Sequence, residues 1–212
     1  MLEFFSKEVV AYCENHTVRP NEVLDKIEAS TRAHSNASSM LSGPFQGTLL
    51  RMISRMMRPR RVLEVGTFTG YSAVCMAEGL VEDGKLITLE KDTTLQPLIE
   101  KHLSWTNLRE KIEVIFGDAR VEMKKLEDIF DLIFIDAAKK QYGEYYDQSL
   151  AMLRSGGLMI IDNVLWRGKV VDEQPDNKTR SIQEFNNKVF EDDRVIPFLM
   201  PIRDGVFLVQ KK

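Results

Sequence analysis

From Arg61 onward, short β-branched apolar runs alternate with stretches of helical period. Apolar runs fall near 61–65, 85–90, 112–116, 130–135, 157–161, 194–199 and 205–210. Between them the spacing is helical. Leu95, Leu98, Ile99, His102 and Leu103 make one stripe, Tyr142, Tyr145, Tyr146 and Leu150 a second, and Ile182, Phe185, Val189 and Phe190 a third. Strands alternating with helices predict an α/β fold with a parallel, doubly wound sheet. The strand at 130–135 is nearly continuously apolar, as a strand covered on both faces must be. Pro197 cannot donate to a ladder, which puts its strand at an edge. Only Pro201–Asp204 separates the last two strands, too little for a crossover helix, so they form an antiparallel hairpin.

Three helical patterns precede this alternation. Phe4, Phe5, Val9 and Tyr12 form the first. Pro20–Asn21 starts a second, with Val23, Leu24 and Ile27 on one face. The third begins near Pro44 and carries Leu49, Leu50, Ile53, Met56 and Met57 at helical spacing. A polar loop, Ser35–Gly43, separates the last two, and the polar run Arg167–Arg180 reads as a long mobile surface loop.

Length and composition narrow the class. The 212 residues suit one domain with a sizeable core. A net charge of −3 gives no general attraction for a phosphate backbone. The two cysteines, Cys13 and Cys75, make neither a metal pair nor a disulfide framework, and Cys75 reads as a buried thiol in an apolar helix. The N-terminus carries charges through its apolar positions, unlike a signal peptide, and no apolar run approaches the ~20 residues of a membrane span. The expected location is the cytoplasm.

The most informative segment is VLEVGTFTGY, 62–71. A strand bearing Glu64 runs into a loop with Gly66 and Gly70, and a helix follows over Ser72–Leu80. Strand, Gly loop and helix form a nucleotide-type site at the carboxyl end of a parallel sheet. The loop is not G-x-G-x-x-G, which disfavours a dinucleotide. Glu90 ends the next strand, twenty residues after Gly70. It is either a solvated charge or an acceptor for both hydroxyls of an adenosine ribose, and the Gly loop favours the second. Asp118 either caps the following helix or accepts an adenine amine.

Asp136 closes one strand, and Asp162–Asn163 close another. Neighbouring strands lie ~4.8 Å apart, so adjacency would bring two carboxylates and an amide oxygen into one pocket. Bare carboxylates that close repel, and a hard cation such as Mg²⁺ removes the conflict. The absence of His or Cys argues against zinc. Alternatively, Asp162–Asn163 only form a local turn. Lys139, three residues beyond Asp136, is either a surface charge or a base for a phenolic proton.

Together these segments resemble the cation-dependent O-methyltransferases, the group holding the catechol and caffeoyl-CoA O-methyltransferases. The similarity runs through SSMLSGPFQG (38–47), VLEVGTFTGYSA (62–73), LITLEKD (86–92), GDA (117–119), DLIFIDAAKKQY (131–142), IIDNVLWRG (160–168) and RDGVFL (203–208). It implies a Rossmann-like, doubly wound seven-stranded sheet with an antiparallel C-terminal hairpin and extra N-terminal helices. One domain, 1–212, would comprise a helical cap at 1–58 and a core at 59–212. The resemblance implies S-adenosylmethionine (SAM) as donor. Met40 would lie over its methionine part; Glu64, Gly66, Thr67, Phe68 and Ser72 would hold the amino acid portion, Glu90 the ribose, and Asp118 and Ala119 the adenine. Phe68 stands where relatives often have Tyr, at the loss of one hydroxyl. Asp136, Asp162 and Asn163 would ligate Mg²⁺ or another divalent cation, with Lys139 as base and Asp136 serving catalysis as well. Trp166 would shape the acceptor pocket. The implied acceptor is a small vicinal dihydroxy-aromatic and the implied assembly a homodimer. A hydroxylated uridine in transfer RNA is an alternative acceptor, kept open by Arg51, Arg55, Arg58, Arg60, Arg61, Lys139 and Lys140. A non-catalytic SAM-binding or dehydrogenase-like protein is a second alternative.

Overall fold

The computed structural model describes residues 6–18, 21–34 and 40–212. Three helices come first: α1 (Lys7–Asn15), α2 (Glu22–His34) and α3 (Gly43–Met57). Then follow β1 (Arg61–Val65), α4 (Tyr71–Ala77), β2 (Lys85–Glu90), α5 (Gln96–Leu103), β3 (Ile112–Phe116) and α6 (Ala119–Glu122). The chain ends with β4 (Phe130–Ile135), α7 (Tyr142–Met152), β5 (Leu153–Asp162), α8 (Asn177–Phe190), β6 (Val195–Met200) and β7 (Val206–Lys211). The sheet order is β3-β2-β1-β4-β5-β7-β6. The first five strands pair in parallel, and β7 runs antiparallel to both β5 and β6. The chain therefore winds outward in two directions from β1 and β4, and ligands bind outside the carboxyl ends of strands at such a switch point.

Strand residues alternate between two cores, as a period of two requires. Ile133 and Ile135 face α7 and α8 with Tyr146 and Phe185. Leu132 and Phe134 face the helices α2 to α5 with Leu24, Leu50 and Leu103. Pro197 lies on β6, the edge strand, and the last two strands form the expected hairpin.

Several elements differ from the sequence reading. Helix α4 stops at Ala77 rather than Leu80 because Gly79 lies against the Ser54 backbone, where a side chain would collide. Strand β5 begins at Leu153, before a register shift against β4. Phe190 is 76% exposed and leaves the α8 stripe. The 167–180 run is not a single loop: 3₁₀ turns lie within Trp166–Val171, broken by a kink at Arg167 and Gly168, and Asp176 caps α8. Asn21 caps α2 by accepting Leu24 N at 3.1 Å. Phe4, Phe5, Pro20 and 35–39 lie outside the described residues. Among the described residues, no helix is long and apolar enough to cross a membrane.

Candidate active site

A cavity of about 1010 Å³ opens at the carboxyl ends of β1, β2, β4 and β5. The Gly loop forms one wall. Gly66 N and Thr67 N donate to Leu89 O, and Phe68 N donates to Glu90 Oε2 at 2.7 Å. Gly66 (φ +107) abuts the Asp136 backbone so closely that no Cβ fits. Among the described residues, the non-glycine residues in the left-handed region are Arg58, Phe68, Asn163, Trp166, Arg167 and Arg203, and all but Arg58 line this cavity. Strained backbone of this kind clusters at ligand sites.

Glu90 lines the cavity, and its other oxygen accepts Asp92 N at 2.8 Å. Each carboxylate oxygen has two lone pairs, so both can still accept a ribose hydroxyl. Thr67, Phe68, Ser72, Ala119 and the half-exposed Met40 also line it. Glu64 does not; it is fully buried behind Ser72, accepting the Ser72 hydroxyl and Thr88 Oγ1, the latter at 2.6 Å. Burial pushes its carboxyl up to about 8, against those two hydrogen bonds. Asp118 caps α6 by accepting Arg120 N at 3.0 Å and grips the Arg120 guanidinium, which holds its carboxyl well below the usual range. The cavity wall there is Gly117 and Ala119, not Asp118.

β4 and β5 are neighbours, with Ile135 beside Ile161. Asp136, Asp162 and Asn163 therefore follow paired positions and line the same cavity. Asp162 is 3% exposed, and burial plus the Asp136 charge raise its carboxyl to about 6. Two facing carboxylates and an amide oxygen fit a hard divalent cation. No group of three or more His, Cys, Asp or Glu suited to a metal occurs among the described residues. Asp162 Oδ1 also accepts Asn163 N at 2.8 Å, a local bond coexisting with the shared pocket. Lys139 Nζ donates to Asp136 Oδ1 at 2.9 Å.

Several lining residues had no sequence assignment. Arg203, Asp204 and Arg167 cover the side beside Asn163 and Trp166, and Gln141 and Tyr145 lie beyond Lys139. Asp204 Oδ1 accepts Arg167 N at 2.5 Å, joining the hairpin turn to the loop after β5.

A family model described as O-methyltransferase matches residues 14–212. The chain belongs to the O-methyltransferase family. It is 31% identical over 206 residues to mouse catechol O-methyltransferase domain-containing protein 1, covering 94% of this chain and 78% of that protein. It is 30% identical over 222 residues to caffeoyl-CoA O-methyltransferase of Populus kitakamiensis, covering 99% and 93%. The SAH-bound methyltransferase PaMTH1 of Podospora anserina superposes with a TM-score of 0.89 at 28% identity, covering 98% of this chain and 97% of that one. As an O-methyltransferase, the enzyme must seat a methyl donor and an acceptor oxygen together, and the cavity between Gly loop and β4–β5 tips has room for both.

Proposed function

We propose that this O-methyltransferase transfers the methyl group of SAM to one hydroxyl of a small vicinal dihydroxy-aromatic, with a divalent cation held by Asp136, Asp162 and Asn163. The observation that carries this reading is the convergence of those three side chains with Lys139 in the cavity walled by the Gly loop. When bound, the cation acts as Lewis acid and template for the acceptor oxygens.

The chain's own residues do the rest. Glu90 accepts the ribose hydroxyls, while Ser72, backed by Glu64, faces the amino acid end of the donor. Lys139 Nζ takes the proton of the attacking hydroxyl. The oxygen then bonds to the methyl carbon as the carbon–sulfur bond breaks, leaving S-adenosylhomocysteine (SAH). Holding both partners at attack distance lowers the barrier. Met40 and Trp166 cover the cavity and limit water.

Ion pairing favours a small acceptor over transfer RNA. Arg51 and Arg55 both engage Glu78, Arg60 engages Asp83, and Arg61 engages Asp128. Four of the arginines thus carry their own counter-charges. A homodimer is part of the same reading: α1 has no buried residue, and Met52 and Met56 of α3 are exposed. Radiolabel from SAM should appear in a catechol or caffeoyl acceptor and not in transfer RNA; the reverse would overturn the acceptor assignment.

A further inference from the structure

We propose that Arg203 and Asp204, adjacent residues in the turn between β6 and β7, are positioning residues that join the donor side of the cavity to its acceptor side. This rests on the donor and acceptor placement proposed above. β6 ends at Met200 and β7 begins at Val206, so one short connection carries both side chains.

Arg203 reaches toward the donor side. Its Nη1 donates to Gln46 Oε1 at 2.7 Å, and its Nη2 donates to Leu41 O at 3.2 Å. The guanidinium holds its donors in a rigid fork. Gln46, 1% exposed in the first turns of α3, fixes one arm of the fork, and Leu41 takes the other. Leu41 sits between Met40 and Ser42, and all three line the cavity. Ser42 enters α3 without a side-chain capping bond. The fork therefore gives this segment a hold that no cap supplies.

Asp204 reaches toward the acceptor side. Its Oδ1 accepts Arg167 N at 2.5 Å and its carbonyl accepts Leu165 N at 2.9 Å, while Gly205 O accepts Val164 N at 3.2 Å. A Cβ at Gly205 would collide with Leu165, so turn and loop lie in direct contact. Asn163, Trp166 and Arg167 all have left-handed backbone, as does Arg203 at φ +51. Residues keep such strained conformations only where their surroundings over-determine them. The Asp204 acceptors hold the loop, and the fork holds the turn. Two neighbouring side chains thus brace opposite walls of one cavity. A donor seated against Leu41 and Ser42 steadies the fork, then the turn, then the loop behind it. Losing either arm uncouples the walls.

Amide hydrogen exchange on the full-length enzyme, with and without SAH, tests this. In wild type, SAH should slow exchange in the Gly loop and at 40–42, and through the turn at Val164 and Leu165. Arg203→Met, which keeps the stem and removes the fork, should keep the slowing in the Gly loop and lose it at 164–165. Asp204→Ala should lose it too, whereas Asp204→Asn, whose amide oxygen can still accept Arg167 N, should retain it. Should Arg203→Met fail to fold, Asp204→Ala against Asp204→Asn carries the comparison. A merely structural role would speed exchange equally with and without SAH and leave the SAH-dependent difference intact. That result overturns this inference alone, as does SAH that slows the Gly loop and 40–42 of wild type but not 164–165. SAH that slows neither the Gly loop nor 40–42 overturns the donor placement and the inference with it.

Discussion

Lys139 Nζ donates to Asp136 Oδ1 at 2.9 Å across a single turn after β4, which ties the proposed base to a proposed metal ligand. The same Nζ lies 5.3 Å from the Tyr142 ring centre, so the head group is held on two sides. Lys139→Ala should lower kcat by about 10²–10⁴-fold, the usual worth of a general base. Calorimetric SAM affinity should stay near wild type. A wild-type pH–rate profile in the variant would remove Lys139 from the proton path.

Gly66 carries the closest approach of the donor loop to the tip of β4. Adding a methyl group there strains a left-handed backbone and drives into the Asp136 carbonyl. Gly66→Ala should destabilise the fold by about 1–3 kcal/mol and weaken SAH and Mn²⁺ binding together. Thermal melts and calorimetry read both, and SAH loss with Mn²⁺ affinity intact would show the loop and Asp136 to be independent.

Glu64 ties proton release to donor binding. Its buried carboxyl sits at about 8 without ligand, so it is largely protonated at pH 7. An ammonium seated beside Ser72 favours the charged form. Donor binding at pH 7 should therefore release close to one proton, seen as a binding enthalpy that changes with the ionisation enthalpy of the buffer. A buffer-independent enthalpy would mean that the amino end lies elsewhere.

His102 links α5 to the Gly loop. Nδ1 donates to Thr69 O at 2.9 Å, Nε2 is buried without a partner, and burial lowers the pKa of the ring. Thr69 is also bonded to Thr31 of α2, at 2.9 Å, so this loop is held from two helices. Below its ordinary value near 6.5, His102 takes a proton more readily in the unfolded chain. Its contribution to stability is therefore complete above pH 6.5 and lost as pH falls toward the folded value. The melting temperature should drop on acidification from pH 6.5 to 5, and His102→Asn should flatten that drop. An equal drop in both proteins would place the titration in other groups.

The sheet was legible because apolar runs and helical stripes alternate cleanly, and Pro197 with a four-residue connection marks the edge and the hairpin. Asp136, Asp162 and Asn163 were legible because they end strands that the winding makes neighbours. The Arg203 contacts were not, because Gln46 is 157 residues away and no local period records a bond over that distance. The arginines near 51–61 read either as a solvated helix face or as a basic patch, because their partners Glu78, Asp83 and Asp128 reach them only in the fold. Glu64 was placed on the donor, yet it stands one layer behind, since a fully paired strand buries its side chain.

The proposed methyl transfer needs a divalent cation gripped by two strand tips beside the donor. The most direct measurement is methyl transfer from labelled SAM to a catechol with Mg²⁺, with excess chelator, and with Mg²⁺ restored, in wild type and in Asp136→Ala and Asn163→Ala. In wild type, chelator should abolish turnover and Mg²⁺ should restore it, and both variants should show background rates. Full turnover in chelator, or wild-type rates in either variant, would contradict that requirement.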